Sequence, residues 1–331
     1  THGPRVPMIL AEPAVVQMVS YSEPTIAQAT TQGAGLTDDA TDDRGLGHWI
    51  QFPGDVSGVI HWVKPILTTA IDGVSDYVLS CFVRMDDGGV PVVGISTVGD
   101  MSLVINNSTV AGKVGGVEDL GGGLYRVWAY SSAPPVSTNN GVFKYTTHST
   151  RGFKVSGFQL EKVTANKPSS LIHATGSGAT RAEDALTITG SAFSDFFSTT
   201  EGTFYVEFVR ETDADGVQRY ALGSNSDSAR FCYIQSSTNT VGSYDGANFI
   251  GAGDYVAAQL SRYAISYLNS SAIDAASASL NGASEVTNYH NGNLLSVPTE
   301  LNIGVARMGT GTQLNGHIKR VLYWPTHSDN L

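Results

Sequence analysis

Glu211, Asp213 and Asp215 stand at alternate positions of the chain. On a strand, that spacing projects all three carboxylates from one face of a sheet. Paired carboxylates are the working parts of glycoside hydrolysis: one protonates the leaving oxygen, the other attacks or activates water. A plainer reading competes with this one. Gly216 follows Asp215 directly, and Asp-Gly is a turn pair, so residues 213–216 also read as the hairpin that ends a strand over 203–210. The sequence holds no P-loop, nucleophile elbow, helical zinc motif or paired-cysteine motif.

Sugar recognition asks for other chemistry. An exposed aromatic ring stacks on the C–H face of the sugar, and planar polar groups beside it take the hydroxyls. Two segments expected as loops have that mixture. Residues 243–249 supply Tyr244, Asp245, Asn248 and Phe249, and residues 288–293 supply Tyr289, His290, Asn291 and Asn293. Each also reads as an ordinary turn with one aromatic folded back on the sheet. Trp62, beside His61, is the best tryptophan for an exposed platform. Trp49, Trp62, Trp128 and Trp324 all lie in strand patterns, and a place in the core is the first expectation for each of the four.

Metal binding is open. Asp38, Asp39, Asp42 and Asp43 cluster, as do Asp213 and Asp215. Carboxylate oxygens on loops suit Ca²⁺, and a solvated acidic loop suits the same residues, so no ligand set is assigned. His48, His61, His173, His290 and His317 are scattered singly, without ligand spacing, and read as surface or strand-edge residues. Cys81 and Cys232 sit inside apolar strand patterns. Such cysteines behave as small buried hydrophobes, and a disulfide-stapled scaffold is not expected.

Composition supplies the elements that must position these groups. At 331 residues the chain suits about two domains of roughly 150 residues each. Only 15% of residues are charged, against a usual value of about 25%. Glycine is abundant at 37 residues, and strands joined by tight turns use it. The balance of 19 basic against 30 acidic residues gives a net charge of −11. Nucleic-acid binding needs clustered Lys and Arg, and anionic membranes need the same, so both partners are disfavoured. No apolar run is long enough to suggest membrane insertion. The chain begins at Thr1 and stops soon after its last strand pattern, and is expected to be a piece of a longer protein.

Alternation of apolar and polar residues repeats along the chain, with Gly turns between. Residues 77–84, 124–130, 153–160, 202–209 and 261–267 show it most clearly. Short strands at close spacing predict an all-β protein of antiparallel sandwiches. The expected organisation is an extended N-terminal arm and loop over 1–45, a sandwich over 46–165, a linker over 166–184, and a second sandwich over 185–331.

Two patterns carry a resemblance. Gly157, Gln159, Leu160, Glu161, Ser170, Ile172, Thr180, Arg181, Ala182 and Asp184 form "G-x-Q-L-E … S-x-I-x-T … T-R-A-x-D". This resembles the join between a jelly-roll domain and a concanavalin A-like sandwich in phage virion proteins. Further on, residues 279–282 read S-L-N-G, residues 301–304 read L-N-I-G, and residues 314–325 read L-N-G-H-I-K-R-V-L-Y-W-P. That order resembles concanavalin A-like (laminin-G-like) domains and covers about 185–331. The first half resembles carbohydrate-binding-module jelly rolls more loosely, most plainly at residues 120–128. Glycoside hydrolases of the concanavalin A-like class carry an E-x-D-x-E strand, and Asp215 departs from that pattern at its third position.

The resemblance implies a non-catalytic fibre, spike or capsid-surface protein of a virion, folded in the host cytoplasm. Its expected partners are host-surface polysaccharide, other virion proteins and copies of itself, with a trimer favoured. A purely structural assembly module is the second reading, and a glycan depolymerase resting on Glu211, Asp213 and Asp215 is the third. No cofactor is required by the first reading, with Ca²⁺ left open.

Overall fold

The computed structural model describes residues 9–331 apart from 13, 42, 56–57, 95–97, 106–107, 110–114, 137–138, 164–165, 183, 185, 211–216, 226–229, 245–248, 270–273, 291–297, 307–311 and 329–330. The chain forms two compact units. One spans Val15–Arg181. The other joins the described residues before Val15 to Ala182–Leu331, so the first unit is an insertion in the sequence of the second. The protein is all-β, and its strands pair antiparallel.

Strand β1 (Ile9–Ala11) belongs to the second unit. The inserted unit then follows with β2 (Val15–Gln17), β3 (Ala29–Gln32), β4 (Thr37–Asp39), β5 (Trp49–Phe52), β6 (His61–Pro65) and β7 (Tyr77–Met85). It continues through β8 (Ser102–Ile105), β9 (Ser108–Thr109), β10 (Gly115–Asp119), β11 (Tyr125–Ser131), β12 (Asn140–Lys144), β13 (Phe153–Lys162) and β14 (Ala179–Arg181). One sheet runs β10-β11-β7-β13-β2-β14, with β5 also on β13 and β4 on β5; the other runs β3-β6-β12-β8-β9. Alternate residues of both sheets meet in one core. Leu79, Cys81, Val127, Phe153 and Val155 come from the first sheet and Val63, Leu103 and Val142 from the second. Phe52 and Phe153 stack at 4.7 Å.

The second unit continues with β15 (Leu186–Thr189), a single helical turn α1 (Ser191–Ser194), β16 (Glu201–Arg210), β17 (Arg219–Gly223), β18 (Arg230–Ile234) and β19 (Thr240–Tyr244). Then come β20 (Phe249–Asp254), β21 (Ser261–Asn269), β22 (Asp274–Leu280), β23 (Val286–His290), β24 (Glu300–Ile303) and β25 (Gly316–Trp324). Its sheets run β1-β25-β16-β21-β22-β23 and β15-β24-β17-β18-β19-β20. Phe204, Val206, Phe208, Tyr263 and Ile265 face Leu222, Phe231, Val241 and Ile250 across the core. Phe193 of α1 closes one part of it and stacks on Phe197 at 4.6 Å. Cys81 and Cys232 are both free and buried, as expected. Burial pushes both thiols up.

Two β-bulges decide which side chains face out. In β13 the register slips between Ser156 and Gln159. Gly157 there has φ +58°, a left-handed conformation that favours glycine. A Cβ on it would lie 2.4 Å from the Phe82 ring. Phe153 and Val155 face the core before the bulge, and Phe158 and Leu160 after it. Gln159 and Glu161 therefore leave the core side. In β16 and β25 the slip falls at Glu207/Phe208, and Lys319 is the extra residue between Ile318 and Arg320. Ile318 faces the core before it, while Val321 and Tyr323 pack there after it.

The bulge at Gly157 opens the edge of β13, and side chains close it. Gln17 Nε2 donates to the Phe158 carbonyl (3.0 Å), and Leu160 N donates to Gln17 Oε1 (2.9 Å). Gln159 and Glu161 then hold the chain downstream. Ser169 N donates to Glu161 Oε1 (2.9 Å) and the Ser169 hydroxyl to Glu161 Oε2 (2.7 Å). Ile172 N donates to Gln159 Oε1 (2.8 Å), and Gln159 Nε2 donates to Glu161 Oε1 (2.8 Å). Gln17, Gln159 and Glu161 are all fully buried. Burial raises the Glu161 pKa, opposed by the bonds from Ser169 and Gln159 and by Arg126.

The expected arm and linker need correction. Residues 15–45 are not an arm: β2 to β4 are strands of the inserted sandwich. Strand β1 pairs Ile9, Leu10 and Ala11 with Ile318, His317 and Gly316. Part of 166–184 is likewise held in the fold: Ile172 and Ala174 are buried, and β14 pairs with β2. Asp184, the last residue of the first pattern, accepts from Glu12 N (3.1 Å), and its own N donates to the Glu12 carbonyl (2.9 Å). Prolines and polar residues suggested irregular chain, but long-range pairing supplied the backbone partners that local sequence did not.

Replacing Glu161 by Ala removes the acceptor of the half-buried Ser169 N and one acceptor of the buried Gln159 amide. A loss of about 1–3 kcal/mol is expected in denaturant unfolding of the whole protein. Gly157→Val is expected to destabilise as well, through its left-handed backbone and the Phe82 ring. A melt unmoved by either variant would contradict this account of the clasp.

Candidate functional site

Strand β6 alternates cleanly: His61, Val63 and Pro65 are buried, while Trp62 and Lys64 are half-buried on the opposite face. The neighbouring strands extend that face. Trp62 is registered with Gln32 on β3 and with Phe143 on β12, and Lys64 with Thr30 on β3. The result is an aromatic strip on the side of the five-stranded sheet away from the core, with Trp62 and Tyr145 half-buried and Phe143 and His148 buried. The Trp62 and Phe143 ring centroids are 6.2 Å apart, and Tyr145 stacks 6.0 Å beyond Phe143. His148 meets Tyr145 edge-on at 5.3 Å.

Polar groups border the strip. Trp62 Nε1 donates to Gln32 Oε1 (2.9 Å). Lys64 Nζ lies 3.9 Å from the Trp62 ring centroid and donates to Asn139 Oδ1 (2.6 Å). Burial lowers the Lys64 pKa. One face of Trp62 thus carries an ammonium that already forms a cation–π contact. Thr30 and Gln32 are exposed. The half-buried Trp62 and Tyr145 rings, with an amide and an ammonium beside Trp62, can meet a sugar ring and bond its hydroxyls.

Sequence reading found Trp62 and missed its company. Phe143 and Tyr145 are two apart, so they share a face, as Trp62 and Lys64 do. That spacing was legible; the pairing of β6 with β12, across 75 residues of sequence between Lys64 and Asn139, was not. His61 corrects the expectation of a surface residue. It is buried, with Nδ1 3.0 Å from the Val59 carbonyl and Nε2 2.6 Å from that of Ala34. Trp324 corrects the expectation of a core residue. It is 47% exposed, while Trp49 is fully buried. The bulge at Lys319 reverses the alternation and turns Trp324 outward.

The described members of the two loop candidates sit at strand ends. Tyr244 and Phe249 are cross-strand partners at the ends of β19 and β20. Phe249 is partly folded onto the sheet: a Cβ on Gly242 would lie 2.4 Å from its ring. It meets Tyr233 at 5.4 Å, and Tyr233 stacks on Tyr220 at 5.3 Å. Tyr289 and His290 end β23, an edge strand of the other sheet, in register with Ala275 and Asp274. Asp245, Asn248, Asn291 and Asn293 lie outside the described residues, as do Glu211, Asp213 and Asp215.

The first acidic cluster is engaged in the fold. Asp38 accepts from Ile26 N (2.8 Å). Asp39 accepts from Lys154 Nζ (2.8 Å), and Asp43 pairs with Arg84. The hydrogen bond from Arg84 holds the Asp43 carboxyl below its ordinary range, as the one from Lys154 does for Asp39. Asp42 is outside the described residues. Among the described residues no cluster of His, Cys, Asp or Glu has the geometry for a metal ion.

No protein-family profile matches the chain, and no curated protein matches it. Two solved structures are similar in part. One is described as NanB plus Optactamide, with a TM-score of 0.32 and 10% identity over 44% of this chain and 25% of that one. The other is a native heptameric SAP-like pentraxin from Limulus polyphemus, with a TM-score of 0.27 and 14% identity over 44% of this chain and 77% of that one. This chain therefore spans about a quarter of the first structure's length.

The Asp43–Arg84 pair sets a pH dependence. A carboxyl whose pKa is lowered by folding stabilises the fold above its ordinary value of 3.8, and that contribution disappears as pH falls through the folded value. Asp43→Asn is expected to lower stability at pH 7 by about 1 kcal/mol. Paired melts of variant and wild type should converge as the pH drops below 3.8. A gap that persisted undiminished into strong acid would contradict this.

Proposed function

We propose that this chain is a non-catalytic glycan-binding protein of a virion surface, within a fibre, spike or capsid-surface assembly. The observation that carries the binding part is the pair of half-buried rings Trp62 and Tyr145, joined through the buried Phe143 and bordered by Gln32, Lys64 and Asn139. Its chemistry suits rings that offer a C–H face and a fringe of hydroxyls. Tyr244 and Phe249 are a second, smaller contact. The virion part rests on the resemblance at residues 157–184 and 279–325. A net charge of −11 favours neutral saccharide or cationic groups over nucleic acid as partners at large. A strip this shallow gains from repetition, and a trimer would supply it through avidity.

A purely structural role in assembly is the second reading. It is favoured by one observation: Gln159, Glu161, Ile172 and Asp184, which carry the first resemblance, all bond within the fold. The depolymerase reading rests on Glu211, Asp213 and Asp215, and on an activity lost in Glu211→Gln.

A panel of host-surface polysaccharides, probed with the multimer as it elutes from size-exclusion chromatography, tests the proposal. Binding is expected to survive EDTA, to leave the glycan uncut, and to weaken roughly ten-fold in Trp62→Ala, a loss of about 1.4 kcal/mol. A multimer that binds nothing on the panel would leave the assembly reading in its place.

A further inference from the structure

The outer face of β25-β16-β21 carries a charged row that the glycan strip does not use. Arg320, Glu207 and Arg262 are direct neighbours across the three strands. Lys319 joins them because it is the bulged residue, and its Nζ lies 3.4 Å from Glu207 Oε2. Glu207 is nearly buried. Its carboxyl is held below the ordinary range first by the Tyr205 hydroxyl, which donates to it at 2.8 Å, and then by Lys319. Arg262 Nε stands 3.9 Å from Glu207 Oε1, with 55% of its side chain exposed. Arg320 is exposed and has no hydrogen bond or ion pair among the described residues. Three cations around one ionised carboxylate leave a surplus of positive charge on a chain whose net charge is −11.

The rows beside it are different in character. One row along, Tyr205 is flanked by Ala264 and Leu322; the next holds Ser266, Thr203 and Trp324. Same-face residues are about 6.8 Å apart along a strand, so Trp324 stands about 13 Å from the arginine row. Leu322 is 38% exposed and Trp324 47%. The face thus offers anion-binding forks at one end and an open indole at the other.

We propose that this face is a second binding site, for an acidic polysaccharide laid along the strands. Arg262 and Arg320 take a sugar carboxylate, for which planar guanidinium forks are suited. Trp324 stacks on a ring further along the same chain. Glu207 and Lys319 are positioning residues that hold the row in place. The site does not rest on the strip around Trp62, since it lies in the other unit and uses charge.

Equilibrium binding of the whole protein to polygalacturonate, with its fully methyl-esterified form as the neutral control, tests the proposal. The acid is expected to bind and the ester not, with affinity falling as salt rises. Arg262→Gln with Arg320→Gln should weaken binding roughly ten-fold, and Trp324→Ala several-fold. All three positions are solvent-facing, so melting temperatures should stay close to wild type. If the double variant fails to fold, Trp324→Ala and the ester comparison still decide. No binding of the acid, equal binding of the ester, or unchanged affinity in a folded variant overturns the proposal. Equal affinity for phosphatidylserine vesicles does so too, because the patch would then be a membrane contact.

Discussion

Buried backbone donors and acceptors must find partners, and in the inserted sandwich that requirement converges on β13. The bulge at Gly157 breaks the ladder at the edge of that strand. Gln17 repairs the break with one amide, accepting from Leu160 N and donating to the Phe158 carbonyl. Gln159 and Glu161, turned away from the core by the same bulge, bind the backbone of the chain as it leaves the unit. Without them, Ile172 N would be buried and unpaired, at a cost of about 1–3 kcal/mol, and the half-buried Ser169 N would lose its acceptor. The pattern at residues 157–184 is therefore a structural device: Gln159, Glu161 and Asp184 each accept from a backbone N–H.

Bulges also place the chemistry. A strand presents alternate residues to alternate faces, and one extra residue exchanges the faces from that point on. At Lys319 the exchange puts Val321 and Tyr323 in the core and leaves Arg320, Leu322 and Trp324 in solvent. Had the alternation run on unbroken from Ile318, the cation and the indole would have been core residues. Both faces are built alike: core-directed side chains pack the sheet, and the residues between them point away from the core. The two faces differ in what they offer. Around Trp62 it is aromatic area with a few hydrogen-bonding groups; around Glu207 it is charge.

Much of the fold was legible before the structure. Alternation at residues 77–84, 153–160 and 202–209 marked strands that the structure contains as β7, β13 and β16. Low charge and abundant glycine pointed to antiparallel sandwiches, and the chain is two of them. Cys81 and Cys232 were expected to be buried, and they are. The free N-terminal arm was the clearest failure. Residues 15–45 are poor in long alternation, so their strands are short and depend on β13, β6 and β5 for partners.

Local periodicity and composition determined that this chain is all-β, where its longer strands run, and that Trp62 is a candidate contact. Those are properties of neighbours in sequence. Tertiary structure alone decided that Trp62 meets Gln32 and Phe143, that Asp39 and Asp43 are neutralised by Lys154 and Arg84, and that Trp324 faces solvent. The first two depend on pairings between residues 30 to 115 positions apart. The third depends on a single unpaired residue, Lys319, whose place in the ladder is set by Glu207 and Phe208 on the partner strand.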